Sequence, residues 1–83
     1  MKADNLNGLL EYIAKSLVEH PGDVRVRSYR NGSTVHLDLL VNPEDLGRVI
    51  GKRGRIATAT RSLLRVVAAK NGQQVDMDVV ETD

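Results

Sequence analysis

Residues 24–41 constrain this chain more than any other stretch. Val24, Val26 and Ser28 alternate with Arg25, Arg27 and Tyr29, and Val35, Leu37, Leu39 and Val41 alternate with His36, Asp38 and Leu40. A period of two is the mark of half-buried strands. Between the two runs stands Asn31-Gly32, whose tolerance of positive φ makes it the strongest short hairpin signal. One face of the resulting hairpin is apolar throughout. Two strands alone are marginal in water, so the rest of the 83 residues must supply helices to cover that face.

The helices can be read on both sides. Leu6, Leu9, Leu10, Ile13, Leu17 and Val18 recur at helical spacing, with Asp4 or Asn5 as N-cap, and Pro21-Gly22 predicts a stop near His20. Glu11, Lys15 and Glu19 make this helix unlike a basic membrane-surface helix. Asn42-Pro43 ends the second strand. Pro43, Glu44 and Asp45 open a short helix buried through Leu46, Val49 and Ile50, which runs into Gly51-Lys52-Arg53-Gly54. A longer helix follows from about Arg55 to Lys70. Its broad apolar arc contains Ile56, Ala57, Ala59, Leu63, Leu64, Val66, Val67 and Ala68, opposite Arg55, Thr58, Arg61, Ser62 and Arg65. Asn71-Gly72 caps it, and Val75, Met77 and Val79 alternate with acids as a last strand. The predicted class is α+β in the order α-β-β-α-α-β, one three-stranded sheet with three helices packed on one face. Residues 1–83 form a single domain.

Composition excludes several chemistries. The chain has no cysteine, which removes disulfides, thiolate metal sites and cysteine nucleophiles. Two histidines far apart in sequence argue against a metal site, and no cofactor motif is present. No export signal or membrane-length apolar run is visible, so a cytoplasmic location without membrane attachment is expected.

Net charge is only +1, but its layout is uneven. Arg48, Lys52, Arg53, Arg55, Arg61, Arg65 and Lys70 lie between Leu46 and Val75 without one acid, and Asp76, Asp78, Glu81 and Asp83 follow without one base. Such segregation suggests an anionic partner at a defined place. The basic centre is Gly51-Lys52-Arg53-Gly54. Its glycines permit a tight turn and close backbone approach, and the second delivers the chain into a helix N-terminus whose free N–H groups and dipole favour phosphate.

Val49-Ile50-Gly51-Lys52-Arg53-Gly54 resembles the Ile-Gly-x-x-Gly signature of KH RNA-binding domains, and the element order resembles their type II topology. Together with Leu10-Glu11-Tyr12-Ile13-Ala14-Lys15-Ser16-Leu17-Val18 and Arg55-Ile56-Ala57, the whole chain resembles the KhpA family of small bacterial single-KH proteins. The resemblance implies a homodimer that works with a KhpB-like partner as a post-transcriptional regulator or RNA chaperone. It also implies that the loop holds about four nucleotides of single-stranded RNA. Carried over by position, Gly51, Lys52, Arg53 and Gly54 hold phosphates, with Arg48, Arg55 and Arg61 nearby. Ala57 and Thr60 floor the groove, and Leu39 and Val41 provide its strand side. Thr60 departs from the usual aliphatic residue, so its hydroxyl either bonds back to the helix or meets a base.

Three rivals stand beside this reading. An enzyme is disfavoured: the loop lacks the Walker A glycine and Ser/Thr, and Ser33, His36 and Asp38 imply neither pocket nor oxyanion hole. Asp38 is better used in a cross-strand pair with Arg25 or Arg27. A helix-turn-helix duplex DNA binder would use Arg55, Arg61 and Arg65. An interaction module would use exposed apolar side chains, either Tyr29, Leu40 and Val80 or the excess arc of the last helix.

Overall fold

The computed structural model describes residues 3–81, with side chains from Asn5 onward. Helix α1 spans Ala3–Leu17, strands β1 and β2 span Arg25–Asn31 and Thr34–Val41, helix α2 spans Leu46–Ile50, helix α3 spans Arg55–Ala69 and strand β3 spans Gln74–Glu81. The expected order α-β-β-α-α-β is present. The sheet order is β1-β2-β3, with β1 antiparallel and β3 parallel to β2. A parallel neighbour cannot be reached by a tight turn. The two helices α2 and α3 make the crossover, and the basic loop lies at its midpoint.

The pleat sorts the strands as their alternation requires. Val35, Leu37, Leu39 and Val41 are buried together with Val75 and Met77. Leu6, Leu10 and Ala14 of α1, Val49 of α2, and Leu64 and Ala68 of α3 close over them. On the open face, His36 lies between Tyr29 and Asp76, and Asp38 between Arg27 and Asp78. Arg27 is therefore the cross-strand neighbour of Asp38. His36 stacks on Tyr29 at 5.2 Å between ring centroids and brings Nδ1 to 3.5 Å from Asp76 Oδ2.

Three boundaries differ from expectation. Helix α1 begins at Ala3, so Asp4 and Asn5 lie inside it; the Asp4 side chain is outside the described residues, as is Asp83. The same helix ends at Leu17, not near His20. The cause is Asp45, whose carboxylate accepts the N–H groups of Glu19 and His20 at 3.0 Å each and so draws the chain out of the helix. Pro43–Asp45 is a 3-10 turn, capped by the Asn42 side chain accepting from Glu44 N–H, and the α-helix starts only at Leu46.

Asp45 is fully buried. Burial alone would push its pKa up, but the Glu19 and His20 N–H donors and the His20 and Arg48 charges bring it below the ordinary 3.8. A depressed carboxylate contributes stability in full above its unfolded pKa and loses it as pH falls through the folded value. Thermal unfolding should therefore show a falling Tm below about pH 4. Asp45→Asn, which loses the charge and one of the two accepting oxygens, should lower Tm at neutral pH and flatten that acid limb. An unchanged acid limb would show that Asp45 is not the group responsible.

Candidate nucleic-acid interface

Helix α2 ends because Gly51 takes φ 77° and ψ 172°, a conformation outside the helical region. Its N–H still closes on Gly47 C=O at 2.9 Å, and Gly54 N–H closes on Gly51 C=O at 3.1 Å, forming a one-turn loop. A Cβ on Gly51 would stand 2.5 Å from Ile56 Cγ1 and 2.9 Å from Ile56 N, so this glycine is also where loop and following helix touch. Gly54 is left-handed at φ 76° and is the N-cap of α3.

Arg53, between the glycines, has φ 59° and ψ 24°. It is the one non-glycine among the described residues with positive φ. An L-residue there costs about 1–2 kcal/mol. The strain holds a cation at the tip of the loop. Arg53→Gly should accordingly raise unfolding stability by about 1 kcal/mol in denaturant melts while weakening binding of any polyanion. Loss of stability on this substitution would contradict the strain argument.

Lys52, Arg53 and Arg55 are exposed, and among the described residues none of them has an ion pair. They surround the N-terminus of α3, where unused backbone N–H groups and the helix dipole favour anions. Arg48 differs. Its guanidinium pairs with Glu19, lies 3.4 Å from Asp45 Oδ1 and donates to Glu44 C=O at 3.2 Å, so its charge is largely committed within the fold.

Ala57 and Thr60 are buried at 3% and 8% exposure on the inner side of α3. The Thr60 hydroxyl donates back to Ile56 C=O at 2.9 Å, so it presents its methyl group and not a free donor. Arg61 turns out to be half-buried. Its Nε donates to Met77 C=O at 2.9 Å, which lays the guanidinium across from α3 to the free edge of β3. That edge, not the central strand, borders the helix groove. Leu39 and Val41 are 2% and 0% exposed on β2, beneath the helices, and offer no surface to a ligand. Alternation predicted that they point toward the helices, but not that β2 is central and already covered.

Among the described residues, no group of three or more His, Asp or Glu side chains is placed to hold a metal ion. No helix of these residues is long and apolar enough to cross a membrane. Sequence reasoning missed Asp45, whose position in a helical first turn looked like ordinary charge complementarity; nothing in its neighbours signals a contact with residues 26 positions earlier.

The family model described as "KhpA/KhpB, KH domain" matches residues 7–79. The chain belongs to the KhpA/KhpB KH-domain family. It is 45% identical over 73 residues to RNA-binding protein KhpA of Halalkalibacterium halodurans, covering 88% of this chain and 96% of that protein. The identity to RNA-binding protein KhpA of Leifsonia xyli is 47% over 72 residues, covering 87% and 92%. For KhpA of Aquifex aeolicus it is 41% over 76 residues, covering 92% and 96%. The fold is also similar to part of Era in its complex with MgGDPNP and a segment of 16S ribosomal RNA, with TM-score 0.62 and 18% identity. That likeness covers 92% of this chain and 29% of Era, and it concerns the KH fold alone. Aquifex aeolicus Era bound to GDP·AlF4− gives TM-score 0.63 at 17% identity, over 92% of this chain and 29% of that one.

Proposed function

We propose that this KhpA-family chain binds single-stranded RNA, about four nucleotides at a time, with Gly51, Lys52, Arg53, Gly54 and Arg55 on the phosphates. Arg61 lines the bases' side of the groove, over Ala57 and the Thr60 methyl, which are packed beneath it. The observation that carries the reading is the pair of unpartnered cations, Lys52 and Arg53, fixed at a helix N-terminus between two positive-φ glycines. The relatives named RNA-binding proteins support the choice of ligand. Bases would lie on aliphatic surface: the chain has no Phe or Trp, and both tyrosines sit elsewhere, Tyr12 on α1 and Tyr29 on the open sheet face. Affinity from one such groove is modest and gains from a second.

The domain acts in the cytoplasm as a post-transcriptional regulator or RNA chaperone, as a homodimer and with a KhpB-like partner. Leu63 and Val66 support such pairing: they are 46% and 55% exposed, three residues apart on α3. Sedimentation of the free chain as a monomer at all concentrations would remove the homodimer from this proposal.

Fluorescence anisotropy with a short single-stranded RNA and a duplex DNA of equal length tests the ligand class. Neutralising two to four phosphates predicts a log–log salt slope of roughly −1.4 to −2.8 for the single strand. The single strand should be preferred at every salt concentration. Equal affinity for the duplex across the titration would favour a helix-turn-helix mode instead.

A further inference from the structure

Helix α2 carries the chain into the basic loop, yet it is only five residues long, Leu46–Ile50. A helix this short has little stability of its own in water. Val49 is buried and Leu46 packs partly against the core. Two side chains set the depth of such a helix better than its direction. Direction comes from polar ties between residues 42–48 and the connection that follows α1. Asn42 Nδ2 donates to Asp23 Oδ2 at 2.9 Å, and His20 Nε2 lies 3.3 Å from Glu44 Oε2. Buried Asp45 accepts the N–H groups of Glu19 and His20. Arg48 crosses this set: Nη2 pairs with Glu19, while Nη1 reaches Glu44 C=O and Asp45 Oδ1.

Arg48 stands three residues ahead of Gly51, close to one helical turn. Gly51 N–H closes on Gly47 C=O at 2.9 Å, so the direction of α2 passes straight into the loop backbone. Lys52 and Arg53 are exposed and without an ion pair among the described residues, so no charge partner steers them independently. Both terminal nitrogens of Arg48, by contrast, have acceptors within the fold. A phosphate approaching them meets the Glu19 carboxylate, which repels it.

We infer that Arg48 is a positioning residue for the binding loop: it ties α2 to the chain leaving α1 and orients Gly51–Gly54 without touching RNA. The inference rests on the RNA-binding reading of that loop. When the tie is cut, the loop spends less time in its binding geometry, and apparent affinity falls with that fraction. Glu19 separates this role from a direct contact, because the two predict opposite signs. If Arg48 gripped phosphate, Glu19 would compete with RNA, and deleting it would tighten binding. If Arg48 is a tie, deleting its partner weakens binding, although an acid has been removed.

The test uses the full chain and a single-stranded uridine hexamer, read by anisotropy at several salt concentrations. The Glu19 side chain is 65% exposed, so Glu19→Ala should fold and should weaken binding roughly two- to fivefold, the worth of one exposed ion pair. Arg48→Ala should weaken it further at an unchanged log–log salt slope, whereas loss of a phosphate contact makes the slope shallower by about 0.7. In free Glu19→Ala, the amide NMR signals of Gly51–Gly54 should move, which a role in stability alone would not cause. Tighter binding by Glu19→Ala, or a shallower slope for Arg48→Ala, overturns the inference in favour of direct contact. Unchanged affinity in folded Glu19→Ala overturns it too and leaves the network a role in stability alone. Failure of the wild-type chain to bind the hexamer would instead overturn the RNA-binding reading, while the loop signals of Glu19→Ala would still report the tie.

Discussion

A chain carrying Lys52→Asp and Arg53→Asp together is expected to fold normally and to lose RNA binding. Both side chains are exposed and make no ion pair among the described residues, so their replacement removes no packing and breaks no pair. Arg53 sits at φ 59°, where aspartate is better tolerated than most residues. Two attractions become two repulsions at a phosphate site, each like-charge contact costing several kcal/mol, which is a hundredfold loss or more. Circular dichroism melts establish the fold and anisotropy measures the loss. A folded double variant with undiminished affinity removes the loop from the mechanism.

Gly51→Ala and Gly54→Ala should differ sharply, although both glycines have positive φ and both belong to one motif. At Gly51 the backbone is at φ 77° and ψ 172°, a region open to essentially glycine alone. A methyl group there meets the Ile56 side chain at 2.5 Å and its backbone nitrogen at 2.9 Å, and the backbone cannot yield without moving the first turn of α3. A loss of about 2–4 kcal/mol is expected from strain and displacement together, with RNA binding impaired even in the folded fraction. At Gly54 the backbone is ordinary left-handed helix and a Cβ has nothing within 4 Å. That substitution should cost only about 1–2 kcal/mol. Urea melts of the two variants decide the matter. Equal losses would mean that contact with Ile56 contributes nothing.

Much of this molecule was legible residue by residue. Alternation around Asn31-Gly32 specified the hairpin and which side of it is buried, because a one-residue slip would expose every valine and leucine on that face. The spacing of Gly51 and Gly54 between two helical patterns marked the basic loop, because few residues other than glycine end one helix and begin another so abruptly. The apolar arc of α3 is wider than one sheet covers, the excess that its sequence already offered as an interaction surface. Leu63 and Val66 fit the apolar pattern, yet α3 buries Ala57, Thr60, Leu64 and Ala68, packs Val67 partly against the core and leaves those two exposed. Periodicity counts apolar residues; it does not count how much surface a three-stranded sheet has to cover them.

What the sequence determined by itself was local: element types, their order, the loop and its charge. Each follows from interactions within a few residues, where chirality, sterics and hydrogen bonding act without reference to distant chain. Tertiary structure decided which strand is central, and with it the fate of Leu39 and Val41, which lie in the core where the strand side of a groove was expected. It also decided that Arg48 is tied to Glu19 and Asp45 while Arg61 reaches the β3 edge through Met77 C=O. Two arginines of the same basic segment thus have different partners. The reason is physical: a side chain's charge is written in the sequence, but whether that charge is spent on a neighbour or left for a ligand depends on what the packed chain brings within a few ångströms of it.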